Sequence, residues 1–409
     1  MSPVKTAPAA LTAGDSALRT QYLAEVLELL YPAPCDTAGG PGERITEYLV
    51  VPDARRPRLL VPNTSRRVAA AAVRRYAEPQ SRSARLKRDA VVAALRTGAS
   101  GILLRDRIRI TGPAAESIDG HLRAALGRDL SVSIHIGPAR ANRKPVLQLI
   151  SPTGETFGFG KLGTGPLTQR LVRAETAALG ELGAAGLSQL AVPTVLHAGH
   201  WRGLAVLIQS ALPVWRPRAP LTQRRLHAAM LDIAGCRGFH AGPLVGSAYW
   251  AEMRGRLAAV GDRPEGAALT SAAELLATHA GQHGLRYGAW HGDWAPWNMA
   301  NLSDKLLVWD WERFATGVPV GFDAMHHELQ RRIQSTGDAA GAVEATVRRA
   351  GELLAPFEVA DGARELTALL YLVDLAARYL ADRQAEAGAR LGVLGTWLLP
   401  VLIRRVEDL

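Results

Sequence analysis

Two aspartates and one asparagine stand at fixed spacings within the segment 290–312, which reads WHGDWAPWNMANLSDKLLVWDWE. Asp293 precedes Asn298 by five residues, and Asp310 follows after a further twelve, just beyond an apolar run. A short loop that leads into a hairpin would bring the three side chains to one edge of a cleft. The spacing therefore predicts a site at which three hard oxygen donors converge.

Such a set of side chains is typical of phosphoryl transfer. That reaction needs a carboxylate beside the acceptor hydroxyl and oxygen ligands for Mg²⁺, but little covalent chemistry from the protein. Asp293 has the position of the carboxylate, and Asn298 and Asp310 have those of two metal ligands. Protein kinases have the related motif HRD, four residues and Asn, followed later by DFG. Here HGD replaces HRD and DWE replaces DFG.

In these residues the chain resembles the aminoglycoside phosphotransferase and choline kinase-like family, whose motif is HGDxxxxN followed by a strand that ends in D-x-E or D-x-D. The resemblance covers roughly residues 130–400 and is strong between 288 and 325. It implies an α+β fold, the bilobal protein kinase-like fold with a β-rich N-lobe and a helical C-lobe. It places Asp293 and His291 in the catalytic set and makes Asn298 and Asp310 the metal ligands. By the same resemblance, Asp323 would brace the backbone of the catalytic loop.

A kinase of this type also needs a lysine to hold the α- and β-phosphates of ATP, and a glutamate on the next helix to orient that lysine. Lys161 ends a strand-like run, and Glu175 follows fourteen residues later in a helical pattern. The preceding strand–loop–strand is the expected place of a phosphate-covering turn, yet Gly137 is its single glycine. Four residues of this loop are therefore expected to bind phosphates through their side chains, or else to form a solvated cationic hairpin tip: Arg140, Asn142, Arg143 and Lys144.

The order of the predicted elements divides the chain into three parts. Residues 1–125 are predicted to form a small, basic, mixed α/β domain of unknown role, and residues 126–212 the nucleotide-binding N-lobe. Residues 213–409 are predicted to form the helical C-lobe, with the catalytic loop and the acceptor pocket. Helices of this last part are predicted at 221–239, 246–260, 267–283, 322–334, 340–353, 362–382 and 389–406.

The formal net charge of +10 is concentrated in one segment. Residues 55–109 contain fifteen basic and three acidic residues, which gives +12 there and −2 for the remainder. This segment is expected either to recruit an anionic partner or a membrane surface, or to form a solvated arginine face. Nucleic acid is disfavoured as a partner, because neither zinc-finger spacing nor an aromatic-interleaved recognition motif accompanies the charge.

Two further groups of side chains near the motif invite a functional interpretation. Five tryptophans lie between residues 290 and 311, and we expect them to pack around the loop rather than to form a stacking platform. His326 and His327 follow on a predicted helix without a third ligand at metal-binding spacing. They are therefore assigned to helix packing or to the lining of a pocket.

Composition restricts the setting in which such a protein acts. With 48% hydrophobic and 21% charged residues the chain is globular, and two isolated cysteines without a signal-peptide pattern favour the cytoplasm. We therefore predict a cytoplasmic, Mg-ATP-dependent phosphotransferase that acts on a hydroxyl of a small molecule. A sugar or glycoconjugate is the favoured acceptor. Two alternatives stay open: a nucleotide-binding scaffold or regulatory protein on a degenerate kinase fold, and a kinase acting on a protein or peptide side chain.

Overall fold

The computed structural model describes residues 13–75, 82–98, 104–137, 141–281, 283–389 and 391–409, which form two compact units. The first unit comprises the described residues of Met1–Ala139, Arg143–Gln169 and Val195–Ala211. The second comprises those of Arg140–Asn142, Arg170–Thr194 and Leu212–Leu409. A sheet dominates the first unit and helices dominate the second, in agreement with the predicted α+β class.

The bounds of the elements are as follows. The strands are β1 (Arg44–Val51), β2 (Leu59–Pro62), β3 (Arg107–Thr111), β4 (Ser131–His135), β5 (Val146–Ile150), β6 (Thr156–Gly163), β7 (Leu190–Ala191), β8 (Val195–Trp201), β9 (Leu204–Ser210), β10 (His240–Pro243), β11 (Gly284–Trp290), β12 (Met299–Asn301), β13 (Leu306–Val308) and β14 (Ala315–Pro319). The helices are α1 (Ala13–Leu30), α2 (Arg66–Arg75), α3 (Arg82–Thr97), α4 (Ile118–Leu126), α5 (Pro166–Ala184), α6 (Gln223–Ala234), α7 (Ala248–Ala258), α8 (Pro264–Ala280), α9 (Phe322–Thr336), α10 (Ala339–Arg348), α11 (Ala350–Leu354), α12 (Arg364–Ala381) and α13 (Leu399–Glu407).

Eight antiparallel strands form one sheet in the first unit, in the order β3-β1-β2-β4-β5-β6-β9-β8. Strand β2 pairs with β4, with Leu59 opposite His135 and Leu60 opposite Ile134. Strands from both sides of residue 125 therefore share this sheet. The division of the chain into a separate N-terminal domain and an N-lobe stays a prediction.

Helices cover both faces of this sheet. Successive side chains of a strand point to opposite faces, so one strand contributes side chains to two cores. Tyr48 of β1 lies in one core with Leu30 of α1, and its neighbour Leu49 lies in another core with Val68 of α2 and Leu95 of α3. These five side chains are at most 2% exposed. Burial of this apolar surface on two sides is the main stabilising contribution to the sheet.

The second unit contains the predicted helices, with differences at some ends. Four of them, predicted at 246–260, 267–283, 322–334 and 362–382, begin and end within three residues of α7, α8, α9 and α12. The helix predicted at 221–239 was wrong beyond Ala234, because a turn with Gly238 at a φ angle of +79° ends it before residues 240–243 pair with β11. The helix predicted at 389–406 begins only at Leu399, with a proline in its first turn, where the missing N–H is tolerated.

No helix of the described residues is long and apolar enough to cross a lipid bilayer.

Candidate active site

One loop of the second unit connects β11 to β12 and contains the HGD sequence. Gly292 has a φ angle of +82°, a backbone conformation that side chains other than glycine rarely adopt. A Cβ atom at this position would lie 2.2 Å from the carbonyl oxygen of Arg313. Glycine is therefore required between His291 and Asp293 by two independent restraints.

Asp323, in the first turn of α9, holds the backbone of this loop. Its two carboxylate oxygens accept the backbone N–H groups of His291, at 2.8 Å, and of Gly292, at 3.2 Å. Asp323 is 5% exposed, and burial raises its pKa to about 7 against the opposing effect of the two N–H donors. The bracing of the loop that the family resemblance implied for Asp323 is thus present.

His291 links the loop to the strand that follows. Its Nδ1 accepts the backbone N–H of Asp293 at 3.0 Å, and its Nε2 lies 3.0 Å from the carbonyl oxygen of Trp309. A neutral imidazole with its proton on Nε2 satisfies both bonds, and burial lowers the pKa of His291 to about 4. Both ring nitrogens are thus bound to backbone groups, and the catalytic role of His291 stays a prediction.

Asp293 has the side chain best placed for chemistry. One carboxylate oxygen lies 3.0 Å from Nε2 of His326, and the other accepts a hydrogen bond from the amide of Asn298 at 3.0 Å. Burial alone would raise the pKa of Asp293, but the hydrogen bond from His326 and the nearby charge of Arg378 outweigh it and the pKa is lowered. The side chain remains 33% exposed, so a ligand can reach the carboxylate.

Asn298 ends a single 3₁₀ turn, Pro296–Asn298, directly after the loop. Its Nδ2 donates to the backbone carbonyl of Asp293 at 2.9 Å as well as to the Asp293 carboxylate, which fixes the amide plane. Its backbone carbonyl accepts the N–H of Trp309 at 3.0 Å, at the start of the β12–β13 pair. Within the described residues the amide oxygen of Asn298 accepts no hydrogen bond, which leaves it for another ligand.

Three carboxylates of the second unit converge at a second point of the candidate site. One oxygen from each of Glu175, Asp310 and Glu312 lies within 4.8 Å of the others. Asp310 follows β13 with a φ angle of +73°, an uncommon backbone conformation for a residue other than glycine. Oxygen donors of this kind fit a divalent cation such as Mg²⁺. Asn142 donates to Glu312 at 3.1 Å, so its amide lies at this acidic cluster.

The remaining predicted site residues lie in the first unit. Lys161 is on β6, opposite Val146 of β5, and is 7% exposed. Gly137 follows β4, and residues 138–140 of the predicted phosphate-covering turn lie outside the described residues. The guanidinium group of Arg143 stacks 3.6 Å above the ring of Tyr22. Binding of phosphate by Lys161, Gly137, Asn142 and Arg143 stays a prediction.

Two residues of the candidate site were not in the predicted set. His326 was assigned to helix packing or to the lining of a pocket, and it contacts Asp293. The available signal was its position three residues after Asp323, which puts both on one face of α9. Glu312 was quoted only as part of the DWE sequence, although its carboxylate lies beside that of Asp310. Among the tryptophans, Trp290, Trp294 and Trp311 are at most 6% exposed and pack as expected, whereas Trp297 is 43% exposed.

Comparison with known proteins gives matches among solved structures. No protein-family model and no curated protein sequence matches the chain. A putative fructosamine-3-kinase from Thermobifida fusca is 18% identical, covering 72% of this chain and 99% of that chain with a TM-score of 0.42. A thermostable variant of the aminoglycoside phosphotransferase APH(4)-Ia, in ternary complex with AMP-PNP and hygromycin B, is 16% identical, covering 70% and 98% with a TM-score of 0.45. The aminoglycoside phosphotransferase APH(3'')-Id from Streptomyces rimosus, in complex with ADP and streptomycin, is 17% identical, covering 57% and 90% with a TM-score of 0.38. The solved structures to which this chain is similar thus include members of the family that its motif resembles.

Proposed function

We propose that this protein is a Mg-ATP-dependent phosphotransferase that moves the γ-phosphoryl group of ATP to a hydroxyl group of a small molecule, a sugar or glycoconjugate. The observation that carries the proposal is the environment of Asp293. Its carboxylate is held by two donors, one on each oxygen, while a third of the side chain stays exposed. A carboxylate fixed and open in this way suits the orientation of an acceptor hydroxyl.

The lowered pKa of Asp293 has a consequence for its role. A weakly basic carboxylate orients the hydroxyl first and receives its proton late, which suits the loose transition state of phosphoryl transfer. In the complete step, the acceptor oxygen bonds to the γ-phosphorus, and the bond from that phosphorus to the β–γ bridging oxygen breaks. The hydroxyl proton passes to Asp293, and ADP leaves.

The metal is assigned to residues of the second unit. We propose that Asn298 and Asp310 bind Mg²⁺, with the carboxylate of Glu312 beside that of Asp310. The metal would neutralise charge on the phosphates during transfer. Lys161 is proposed to bind the α- and β-phosphates, in a nucleotide-binding segment that spans 126–212. Glu175, proposed to orient that lysine, has its carboxylate at the acidic cluster, where it also adds negative charge for a cation.

The cytoplasm is the compartment that we propose, because ATP and Mg²⁺ are available there. Both cysteines, Cys35 and Cys236, are free thiols, which suits a reducing environment.

The experiment that tests the proposed function has two stages. Thermal unfolding with ATP, in the presence and absence of Mg²⁺, tests nucleotide binding; ADP release is then measured over a panel of sugars, amino sugars and aminoglycosides. Once the screen has identified an acceptor, Asp293→Asn should keep the thermal stabilisation by ATP. Turnover of that acceptor should fall by about a hundredfold or more. Asp304→Asn, at a surface aspartate whose side chain is 53% exposed, is the matched control and should behave as wild type.

The outcomes separate the candidate functions. Stabilisation by ATP without turnover on any acceptor would favour a nucleotide-binding scaffold. Turnover on peptides but not on sugars would favour a protein or peptide kinase. Unchanged turnover of Asp293→Asn would contradict the assignment of this carboxylate.

A further inference from the structure

We propose that His326 is a positioning residue for the Asp293 carboxylate, and that Tyr371 in turn fixes the imidazole of His326. This inference deepens the proposed function and rests on it, because it concerns the same carboxylate. The three side chains form a continuous hydrogen-bonded chain from the partly exposed Asp293 into the helical core of the second unit.

The contacts that define this chain are short and buried. Nε2 of His326 lies 3.0 Å from an oxygen of Asp293, and Nδ1 lies 3.0 Å from the hydroxyl oxygen of Tyr371. His326 and Tyr371 are both 0% exposed. The two rings meet edge to face, with centroids 6.0 Å apart and an interplanar angle of 82°. Water therefore has no access to either imidazole nitrogen in place of these partners.

One arrangement of protons satisfies all three groups. An ionised carboxylate only accepts hydrogen bonds, so Nε2 of His326 must carry the proton that it donates to Asp293. In the neutral ring Nδ1 is then an acceptor, and the hydroxyl of Tyr371 donates to it. Burial lowers the pKa of His326 and raises that of Tyr371, so both the neutral imidazole and the protonated phenol are favoured. The tautomer of His326 is thus set by its two neighbours.

The restraint on the Asp293 side chain is separate from the restraint on its backbone. The loop backbone is held by Asp323, by the ring of His291 and by Arg378, which donates to the carbonyl of Gly292. The carboxylate is held by Asn298 on one oxygen and by His326 on the other. With one donor the carboxylate could rotate, whereas donors on both oxygens fix its plane. Removal of His326 should therefore release the carboxylate and leave the loop in place.

The neighbouring histidine offers a matched control. His327 is half-buried, its Nδ1 lies 3.3 Å from the backbone carbonyl of Trp294, and within the described residues it makes no hydrogen bond to a carboxylate of the loop. A substitution at position 327 thus reports the general cost of changing a histidine on α9 that lies next to the loop. The difference between the two positions isolates the contact with Asp293.

Two substitutions at position 326 distinguish positioning from packing. Glutamine can place an amide N–H near the position of Nε2, whereas the shorter asparagine reaches only the position of Nδ1 and cannot donate to Asp293. With an acceptor identified by the screen above, His326→Asn should lower kcat about 10- to 100-fold with little change in the KM for ATP. His326→Gln should recover most of that loss, and His327→Gln should keep the wild-type kcat. Equal kcat values for the asparagine variant and wild type, or for the asparagine and glutamine variants, would overturn the proposal.

A measurement that does not depend on turnover tests the same contact. In protein labelled with ¹⁵N on the histidine rings, the signals of His326 are assigned by their loss in His326→Gln. We expect an Nε2–H tautomer whose proton resonance shifts in Asp293→Ala and in Tyr371→Phe, but not in His327→Gln. An Nδ1–H tautomer, or a resonance indifferent to Asp293→Ala, would overturn the proposal. Failure of wild-type protein to turn over any acceptor would instead defeat the proposed function, and the tautomer would still decide whether His326 holds Asp293.

Discussion

The carbonyl oxygen of Arg313 lies 2.2 Å from the position that a Cβ atom of residue 292 would occupy. Gly292 and Arg313 can therefore approach each other only because position 292 has no side chain. Gly292 also has a φ angle of +82°. Both restraints act on the loop that carries Asp293.

Replacement of this glycine should be costly. Gly292→Ala adds the energy of a left-handed backbone to a clash with backbone atoms, so we expect a loss of about 3 kcal/mol or more in the free energy of unfolding. Gly317→Ala is the control, because its φ angle is +71° but no atom lies within 4 Å of the added Cβ. It should cost only about 1–2 kcal/mol. Urea unfolding of both variants measures the difference, and equal losses would show that the contact with Arg313 is unimportant.

The loop 291–298 is the part of the candidate site whose local geometry the sequence indicated most directly. Asn298 donates to Asp293, and its carbonyl accepts the N–H of Trp309, the residue before Asp310. The spacing of the motif thus reflects a loop and a hairpin of set length. Asp323 could be included among the predicted residues of the loop because the family resemblance implied its role. Contacts that depend on the packing of distant helices, such as that between His326 and Tyr371, 45 residues apart, leave no periodic pattern in the sequence.

Helices were easier to predict than strand partners for a related reason. The apolar spacing of α9 and α12 depends on neighbours three or four residues away, so the sequence shows it directly. Strand β10 pairs with β11, more than forty residues later, and nothing within 240–243 identifies that partner. No strand was therefore predicted there, and the preceding helix was extended to residue 239. The pairing of β2 with β4 was not predicted for the same reason.

Acid should destabilise the loop through His291. Its pKa is lowered to about 4 in the folded protein from an ordinary value of 6.5, so the folded state favours the neutral ring. The corresponding stability is complete above pH 6.5 and is lost as the pH falls towards 4, by up to about 3 kcal/mol. In His291→Asn, the amide oxygen can still accept the N–H of Asp293, but the side chain does not titrate.

Unfolding free energies of wild type and His291→Asn between pH 7.5 and 4.5 test this effect. The variant should be less stable at pH 7.5, because it loses the bond to Trp309, yet its stability should fall less steeply with acid. His135 and His327, whose pKa values are also lowered to about 4, are present in both proteins, so the difference between the curves isolates position 291. Parallel curves would contradict the prediction.

The acidic cluster predicts a specific dependence on metal. Glu312→Gln removes one of the three converging carboxylates and keeps an oxygen that can accept the bond from Asn142. If Glu312 supports the cation, the Mg²⁺ concentration for half-maximal stabilisation in the presence of AMP-PNP should rise about tenfold or more. Glu352→Gln, at an exposed glutamate paired with Arg349, is the control. An unchanged Mg²⁺ midpoint for Glu312→Gln would remove this residue from the metal site.

An ion pair in the helical core of the second unit gives a prediction on stability that does not depend on function. Arg256 of α7 contacts both carboxylate oxygens of Asp374 on α12, at 3.2 and 2.9 Å, and the Asp374 side chain is only 4% exposed. Loss of Asp374 leaves the guanidinium group of Arg256, whose side chain is only 31% exposed, without this partner, so Asp374→Ala should lower the free energy of unfolding by about 3 kcal/mol.

Removal of both charges separates this effect from the attraction within the pair. Arg256→Met combined with Asp374→Leu should be less destabilised than Asp374→Ala alone, because apolar side chains fill the site and no charge is stranded. Asp361→Ala breaks an ion pair with Arg364 in which the Asp361 side chain is 87% exposed. This substitution should change stability little. Thermal and urea unfolding of the variants measure these differences. A double variant less stable than Asp374→Ala would mean that the attraction, rather than the stranded charge, dominates the energetics of this pair.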